Sequence, residues 1–393
     1  MTSRILATTL VLCAATAPAR AQSSDQLYRS WSWQGFPGSP RTLGLAGAGS
    51  ALGDDATALV ANPASMTTLK KSELALAALG VGSGTGGRVQ DARGSWSGPG
   101  YVGGAAILTR RLAAGGYLRQ VQGGVLSLAS TSVGGSAYTG WLDAQVIEGG
   151  AAVAYRVRDR LSAGIRLSAS HLQLEGYLRR ESGGATTLEA GAAAGETRIT
   201  ASAGVFLEPD RNLRLGLVVE PGCSWTVSRT ANDPSRALPL DAGSEYELRQ
   251  PSRVSSSIAW SAASKLLVVG QADYVRYSEI SSALVVRPGA SDEPPSAYQS
   301  EDALEGRLGL EVSLPVMSRV SAQLRFGVAS IAGGGLSYVG ANAGEVAAWG
   351  NTADRRELAA AGASVVMRSW RFDVAAMFGH TQPVLAAGVR LRF

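Results

Sequence analysis

The feature that most constrains this chain is a period of two. In the stretch 304–314, Leu304, Gly306, Leu308, Leu310, Val312 and Leu314 share one face, while Glu305, Arg307, Gly309, Glu311 and Ser313 share the other. That is the pattern of a strand with one oily and one wet side. It recurs in 320–328, where Val320, Ala322, Leu324, Phe326 and Val328 oppose Ser321, Gln323, Arg325 and Gly327, and again in "WRFDVAAMF" from Trp370 to Phe378. The chain closes the same way, with Leu385, Ala387, Val389, Leu391 and Phe393 against Arg390 and Arg392. Strands of a soluble β-sandwich alternate too. They are typically about five or six residues long, however, whereas these segments run to about ten or more, the length a tilted strand needs to cross a bilayer.

The N-terminus places the chain outside the cytoplasm. Residues 1–21 carry Arg4, an apolar stretch from Ile5 to Ala17, and Ala19-Arg20-Ala21, which fits a signal-peptide cleavage site before Gln22. Cys13 lies in the apolar stretch, but Leu12 before it is too bulky for a lipoprotein box. Cleavage leaves Cys223 as the sole cysteine beside two histidines, so neither an internal disulfide nor a zinc site is expected, and no metal or cofactor is assigned. Hydrophobic residues make up 45% of the chain, yet beyond the leader no run of about 18 apolar residues appears, which excludes ordinary transmembrane helices. Loss of Arg4 and Arg20 with the leader lowers the formal charge from +5 by two, and no Lys/Arg-rich tract suggests a nucleic-acid partner. An alternating strand that ends on a terminal Phe resembles the C-terminal signature of bacterial outer-membrane barrels, and the bacterial outer membrane is the expected location.

Fourteen strands are read from the alternation, an even number that suits a closed single-chain antiparallel β-barrel over residues 73–393. Tight turns alternate with long polar segments, among them 122–144, 176–195 and 227–250, read as external loops; the seventh strand is read as one piece, 213–226. A barrel of this size would leak unless something filled it. The segment 22–72 is available for that, as an N-terminal hatch or plug. Within it Asp54 or Asp55 is placed to cap a short helix through "ATALVA", Asn62 before Pro63 is pushed out of helical geometry, and "PASM" can start a second turn. The other readings of this segment are a periplasmic extension or an extra strand.

The stretch "RTLGLAGAGSALGDDATALVANPASMTTLKKSELALA", Arg41 to Ala77, resembles the N-terminal signature of the outer-membrane long-chain fatty acid transporter (FadL) family and of its PorV-like relatives associated with type IX secretion. The shared pattern is a Gly/Ala-rich lead, an acidic helix start, and an Asn-Pro-Ala box, here Asn62-Pro63-Ala64, opening the first strand. The family commonly has Gly after the box, where this chain has Ser65. The resemblance implies a fourteen-stranded barrel with a hatch, hatch residues Asn62, Pro63 and Ala64, and no enzymatic activity. It also implies passive uptake of hydrophobic, fatty acid-like molecules with lateral release into outer-membrane lipid through a gap at a kinked strand. The alternative it carries is a PorV-like scaffold or shuttle whose partner is a secretion-system protein.

Gly115-Gly116 and Gly123-Gly124 in the third strand are the candidate kink, because paired glycines inside a strand mark bulges; Val125–Ala129 beyond them could form an apolar lip. Inward-facing charges, among them Glu148, Arg166, Glu220, Asp273, Glu311, Arg325, Asp373 and Arg390, are expected to pair with one another and with Arg41, Asp54 and Asp55. His171 lies near Ser168 and Ser170, but residues this close on one strand point to different faces or stack along one, and no orienting acid is evident; no catalytic residue is assigned.

Overall fold

The computed structural model describes residues 38–81, 96–133, 136–232, 239–281, 298–332, 337–339, 355–379 and 383–393. The leader and the first part of the hatch segment lie outside the described residues. In chain order the strands are β1 (Glu73–Val81), β2 (Trp96–Ile107), β3 (Leu112–Val133), β4 (Ser136–Arg158), β5 (Leu161–Ser182), β6 (Ala185–Leu207), β7 (Leu213–Glu220), β8 (Cys223–Asn232), β9 (Pro239–Gln250), β10 (Arg253–Ala263), β11 (Leu266–Val275), β12 (Tyr298–Gln299), β13 (Ala303–Met317), β14 (Val320–Ile331), β15 (Ser337–Tyr338), β16 (Arg356–Met367), β17 (Trp370–Phe378) and β18 (Val384–Arg392). Among the described residues the wall is a closed ring of fourteen antiparallel strands, formed by all of these except β8, β9, β12 and β15. The ring closes through β1 and β18, paired from Glu73 with Arg392 to Val81 with Val384, and the Phe393 N–H donates to Ser72 O at 3.0 Å.

The alternation decides which side faces what. Leu74, Ile165, Leu167, Ile199, Leu308, Phe326, Val374 and Leu385 are large apolar side chains left exposed on the outside, whereas Ala75, Arg166, Arg307, Arg325 and Asp373 in the same strands are buried inside. So much exposed apolar area is unfavourable in water and suits a hydrocarbon surround. Among the described residues no helix is long and apolar enough to cross a membrane. The turns at one end are tight: Arg368 takes φ 50° between β16 and β17.

At the opposite end the strands outrun the sequence reading. Residues expected as the long loops 122–144 and 176–195 continue β3 to β6, and β5 joins β6 through Gly183 and Gly184, both at positive φ, the requirement of a type I′ hairpin. Above the bilayer both faces of a strand meet water, so the oily half of the pattern disappears while the ladder goes on. The seventh strand is also not one piece. It stops at Glu220, because Pro221 lacks an N–H and Gly222 sits so close to Gln250 O that a Cβ there would overlap it. β8 then turns away from β6 at the bend, pairs with β9, Cys223 opposite Gln250, and meets β6 again only from Ala193–Ser228 to Glu189–Asn232, in a region read as an external loop.

Candidate functional site

The first described residues fold inside the barrel as a plug. Ser39 caps the helix Pro40–Leu43, its Oγ accepting from Arg41 N at 3.0 Å, with Pro40 preset at the first turn. A second short helix, Ala58–Ala61, follows, and then a 3₁₀ turn, Pro63–Thr68. Neither acid caps Ala58–Ala61 as expected. Thr57 occupies the cap position without a side-chain bond, and Asp55 Oδ1 instead accepts from Thr57 N at 3.0 Å one turn earlier. The two aspartates are taken by arginines: Arg41 reaches Asp54 at 2.6 Å and Asp55 at 3.1 Å, and Arg390 of β18 reaches Asp55 at 2.6 Å.

Asn62 is fully buried and uses its whole amide. Its Oδ1 accepts from Ala64 N at 3.1 Å, and its Nδ2 donates to Ser50 O at 2.9 Å and to Val205 O of β6 at 3.1 Å. Pro63 and Ala64 lie against β5, where a Cβ at Gly164 would come within 2.5 Å of Ala64 N and 2.7 Å of Pro63 C. A Cβ at Gly204 on β6 would overlap Asn62 Oδ1. The Asn-Pro-Ala box therefore sits in a two-glycine cradle. The opposite side of the plug is held by charge. Arg41 forms a bidentate pair with Glu311 of β13 at 2.8 and 2.9 Å, Arg325 bridges Glu311 at 2.7 Å and Asp373 at 3.1 Å, and Arg390 joins Asp373 at 3.0 Å. Glu73 accepts from Ala56 N at 2.9 Å and from Arg392 at 2.6 Å. Burial alone would raise the Asp55 carboxyl, but the guanidiniums of Arg390 and Arg41 outweigh it and hold Asp55 well below the usual carboxylate range.

Beyond the plug, toward the long-strand end, lies a chamber of about 50 Å³ lined by Arg119, Glu148, Arg166, Ser202, Glu220 and Arg253 among others. Its charges pair with one another: Arg119 bonds Glu148 at 2.9 Å, Arg166 bonds Glu220 at 2.5 Å, and Arg253 Nε bonds the other Glu220 oxygen at 2.9 Å. Tyr277 donates to Glu305 at 2.8 Å. An apolar cluster roofs it, with Trp225, Val227 and Leu248 from the β8–β9 hairpin packed on Val146, Leu172 and Leu174 of the wall, all fully buried. The hairpin thus carries a greasy surface that the loop reading of 227–250 missed; Trp225 and Val227 two residues apart were the available signal.

Of the candidate kink glycines, Gly115 and Gly116 pair in regular register with Ala152 and Ala151, and Gly123 and Gly124 with Gln145 and Ala144. The register shifts between the two pairs, at Gln120/Gln122, around Val121. The β2–β3 ladder ends just there, at Tyr101 opposite Arg119, although β2 continues back to Trp96 and β3 on to Val133. The side chains of Val125–Ala129, expected as an apolar lip, lie outside those described. His171 faces outward and bonds Thr197 Oγ1 at 3.0 Å, whereas Ser168 and Ser170 point inward and are buried. No nucleophile and base meet there.

A plugged, fourteen-stranded barrel with an oily exterior is the class that fold and site define. The sequence matches no protein-family model and no curated protein. Among solved structures the chain is similar to a Pseudomonas aeruginosa FadL homologue, at 13% identity and a TM-score of 0.65, over 90% of this chain and 98% of that one. It is equally similar to the Ralstonia pickettii toluene transporter TbuX, at 14% identity and a TM-score of 0.65, over 92% and 99%. The Pseudomonas putida toluene transporter TodX follows at 12% identity and 0.62, over 92% and 99%. The chain shares the fold of these proteins over about nine-tenths of its length.

Proposed function

We propose that this chain is a bacterial outer-membrane protein for passive uptake of hydrophobic compounds, which leave the barrel sideways through the wall between β2 and β3. The observation that carries the reading is the ladder that stops at Tyr101–Arg119 beside the bulge at Val121, on the chamber side of the plug. A solute in the chamber has the plug beneath it, and beside it a stretch of wall where, among the described residues, β2 and β3 do not pair. The fold shared with two toluene transporters over 92% of this chain supports the same reading. Small uncharged compounds suit the chamber better than a fatty acid does, because its guanidiniums already hold carboxylates and a further carboxylate would have to displace one. As observed, the chamber is small, about 50 Å³, against about 150 Å³ for an apolar cavity that holds benzene.

The test is uptake of radiolabelled toluene and oleate by a Gram-negative host that lacks its own hydrophobe transporter. The full chain should raise toluene uptake several-fold over the empty host. A disulfide across Val102→Cys and Leu118→Cys, which pair at the edge of the β2–β3 gap, should slow it until reductant is added. Uptake no faster than in the empty host for either compound would defeat the reading.

A further inference from the structure

The wall contains a second break, on the far side of the chamber. β6 pairs with β7 only from Ala203–Val219 to Leu207–Leu215, and with β8 only from Glu189–Asn232 to Ala193–Ser228. Between them Ala194 to Ser202 has no ladder partner on that edge, roughly 25–30 Å of strand at about 3.3 Å per residue. The strand that should lie there has not ended. Opposite each other, β7–β8 and β9–β10 keep one register, Glu220 with Arg253 and Cys223 with Gln250, so the four make one long hairpin bent at Pro221-Gly222 and Pro251-Ser252. The bend carries Trp225, Val227 and Leu248 into the lumen and lifts the hairpin off β6.

Side chains span the break where backbone bonds do not. From the inner face of β6, Arg198 Nε donates to Ser224 O at 2.7 Å, Glu196 Oε2 accepts from Thr226 N at 2.6 Å, and the two side chains pair with each other at 2.7 Å. Thr200 and Ser202 on β6, and Pro221 and Cys223 on the hairpin, line both the break and the chamber. On the outside the break straddles the edge of the oily belt: Ile199 is 71% exposed, and the polar pair His171–Thr197 sits one step beyond it. A molecule dissolved among the lipid chains just below the headgroups meets this break directly.

We propose that the break between β6 and the β7–β8 strand is a second lateral passage, through which small uncharged apolar molecules move between the outer leaflet and the chamber, with the β8–β9 hairpin as its flap. The proposal rests on the uptake reading, and it adds a route separate from the β2–β3 gap. The flap is suited to the role because its hold on β6 over the break is two hydrogen bonds to side chains rather than a ladder. Its underside is apolar, so lifting it uncovers a greasy surface facing the solute.

The test pins the flap. In a Cys223→Ser background, Ala193→Cys with Ser228→Cys joins a directly opposed pair at the hairpin's attachment to β6. Opposed antiparallel residues lie about 4.5–5.5 Å apart at Cα, within disulfide range. Val205→Cys with Leu217→Cys, opposed in the regular β6–β7 ladder, is the control. A third variant, Thr200→Trp, fills the break without a cross-link. Toluene uptake should fall about twofold in the oxidised Ala193–Ser228 protein and recover with reductant, fall further when the β2–β3 pair is oxidised as well, fall in Thr200→Trp, and stay unchanged in the control. Uptake at the control's rate in both the oxidised protein and Thr200→Trp overturns the second passage while leaving the uptake reading intact. Loss of uptake in the β2–β3 cross-linked protein alone has the same meaning. No uptake by any form, reduced or oxidised, removes the uptake reading and this proposal with it.

Discussion

Gly164→Val should unseat one end of the plug while leaving the barrel whole. A Cβ at this position falls 2.5 Å from Ala64 N, 2.7 Å from Pro63 C and 2.8 Å from Ala64 Cα, and all three are backbone atoms that no rotamer change can move. The box must therefore lift away from β5. Overpacking of this kind costs roughly 1–3 kcal/mol. As the box lifts, Asn62 Nδ2 loses Val205 O, a buried bond worth about 1–3 kcal/mol when its partner is left unsatisfied. The combined penalty, roughly 2–6 kcal/mol, falls on the docking of the 3₁₀ turn rather than on the ladder, since Gly164 keeps its register with Ala154 and Gly204. The protein should still run as a heat-modifiable folded barrel on gels, yet show raised conductance in planar bilayers and admit large antibiotics in cells. Gly306→Val is the control, because a Cβ there meets nothing within 4 Å. Conductance of Gly164→Val no higher than that of Gly306→Val would refute the cradle.

Deleting Gln22 to Thr68 should leave a folded barrel that conducts ions freely, and Asn62→Ala with Pro63→Gly should do so more weakly; an intact protein that already conducts like an open porin would mean that the segment does not seal the lumen. Leu308→Arg, on the outer face, should cost roughly 2–4 kcal/mol if it lies near the bilayer midplane, and Ser313→Arg much less; refolding into lipid vesicles with urea titration measures both, and equal effects would contradict the alternation. The Asp55 carboxyl is lowered in the folded protein, so its contribution to plug docking is complete above the unfolded value of about 3.9 and is lost as pH falls from there through the depressed folded value. Conductance should accordingly stay low from pH 8 to about pH 4.5 and rise only in stronger acid; opening already at pH 6 would exclude Asp55 as the titrating latch.

The barrel was legible because the bilayer imposes one rule on every wall strand: oily outside, small or polar inside. Where that rule lapses, so did the reading. The strand extensions 122–133 and 176–195 lie beyond the belt and carry no oily stripe, and β8 turns its apolar residues inward, against the wall pattern. Arg41, Asp55, Glu311 and Arg390 could be named as charges that needed partners, but a pattern along one chain cannot say which lies against which across 270 residues, as Arg41 and Glu311 do. The glycines were harder still. Gly164, Gly204, Gly309 and Gly327 looked like generic β-rich composition, yet each faces a plug atom that leaves no room for a side chain. Their meaning appears only when plug and wall are seen together. Ser39-Pro40, a cap followed by a preset first turn, is a helix start readable from the sequence alone.

The same contacts constrain the path of any solute. Drawing the plug out as a unit would part Arg41 from Glu311 and Asp55 from Arg390, all four within a twentieth of full burial. Breaking one buried pair by removing a partner costs roughly 3–5 kcal/mol, and the two pairs would be broken together with the Asn62 bonds. Water entering behind the plug would repay part of that cost, but an apolar solute brings nothing to pair with the exposed charges and so cannot drive the movement. The two breaks in the wall ask for no buried ion pair to be parted. Among the described residues β2 and β3 do not pair above Tyr101–Arg119, and over Ala194 to Ser202 β6 is held to β8 by two side-chain hydrogen bonds and no ladder. An apolar molecule gains from reaching hydrocarbon and loses nothing by leaving the plug in place. A plug fixed by charge and a wall left unladdered beside the chamber are therefore what the proposed uptake requires: an axis closed to ions and a sideways path for hydrophobic solutes.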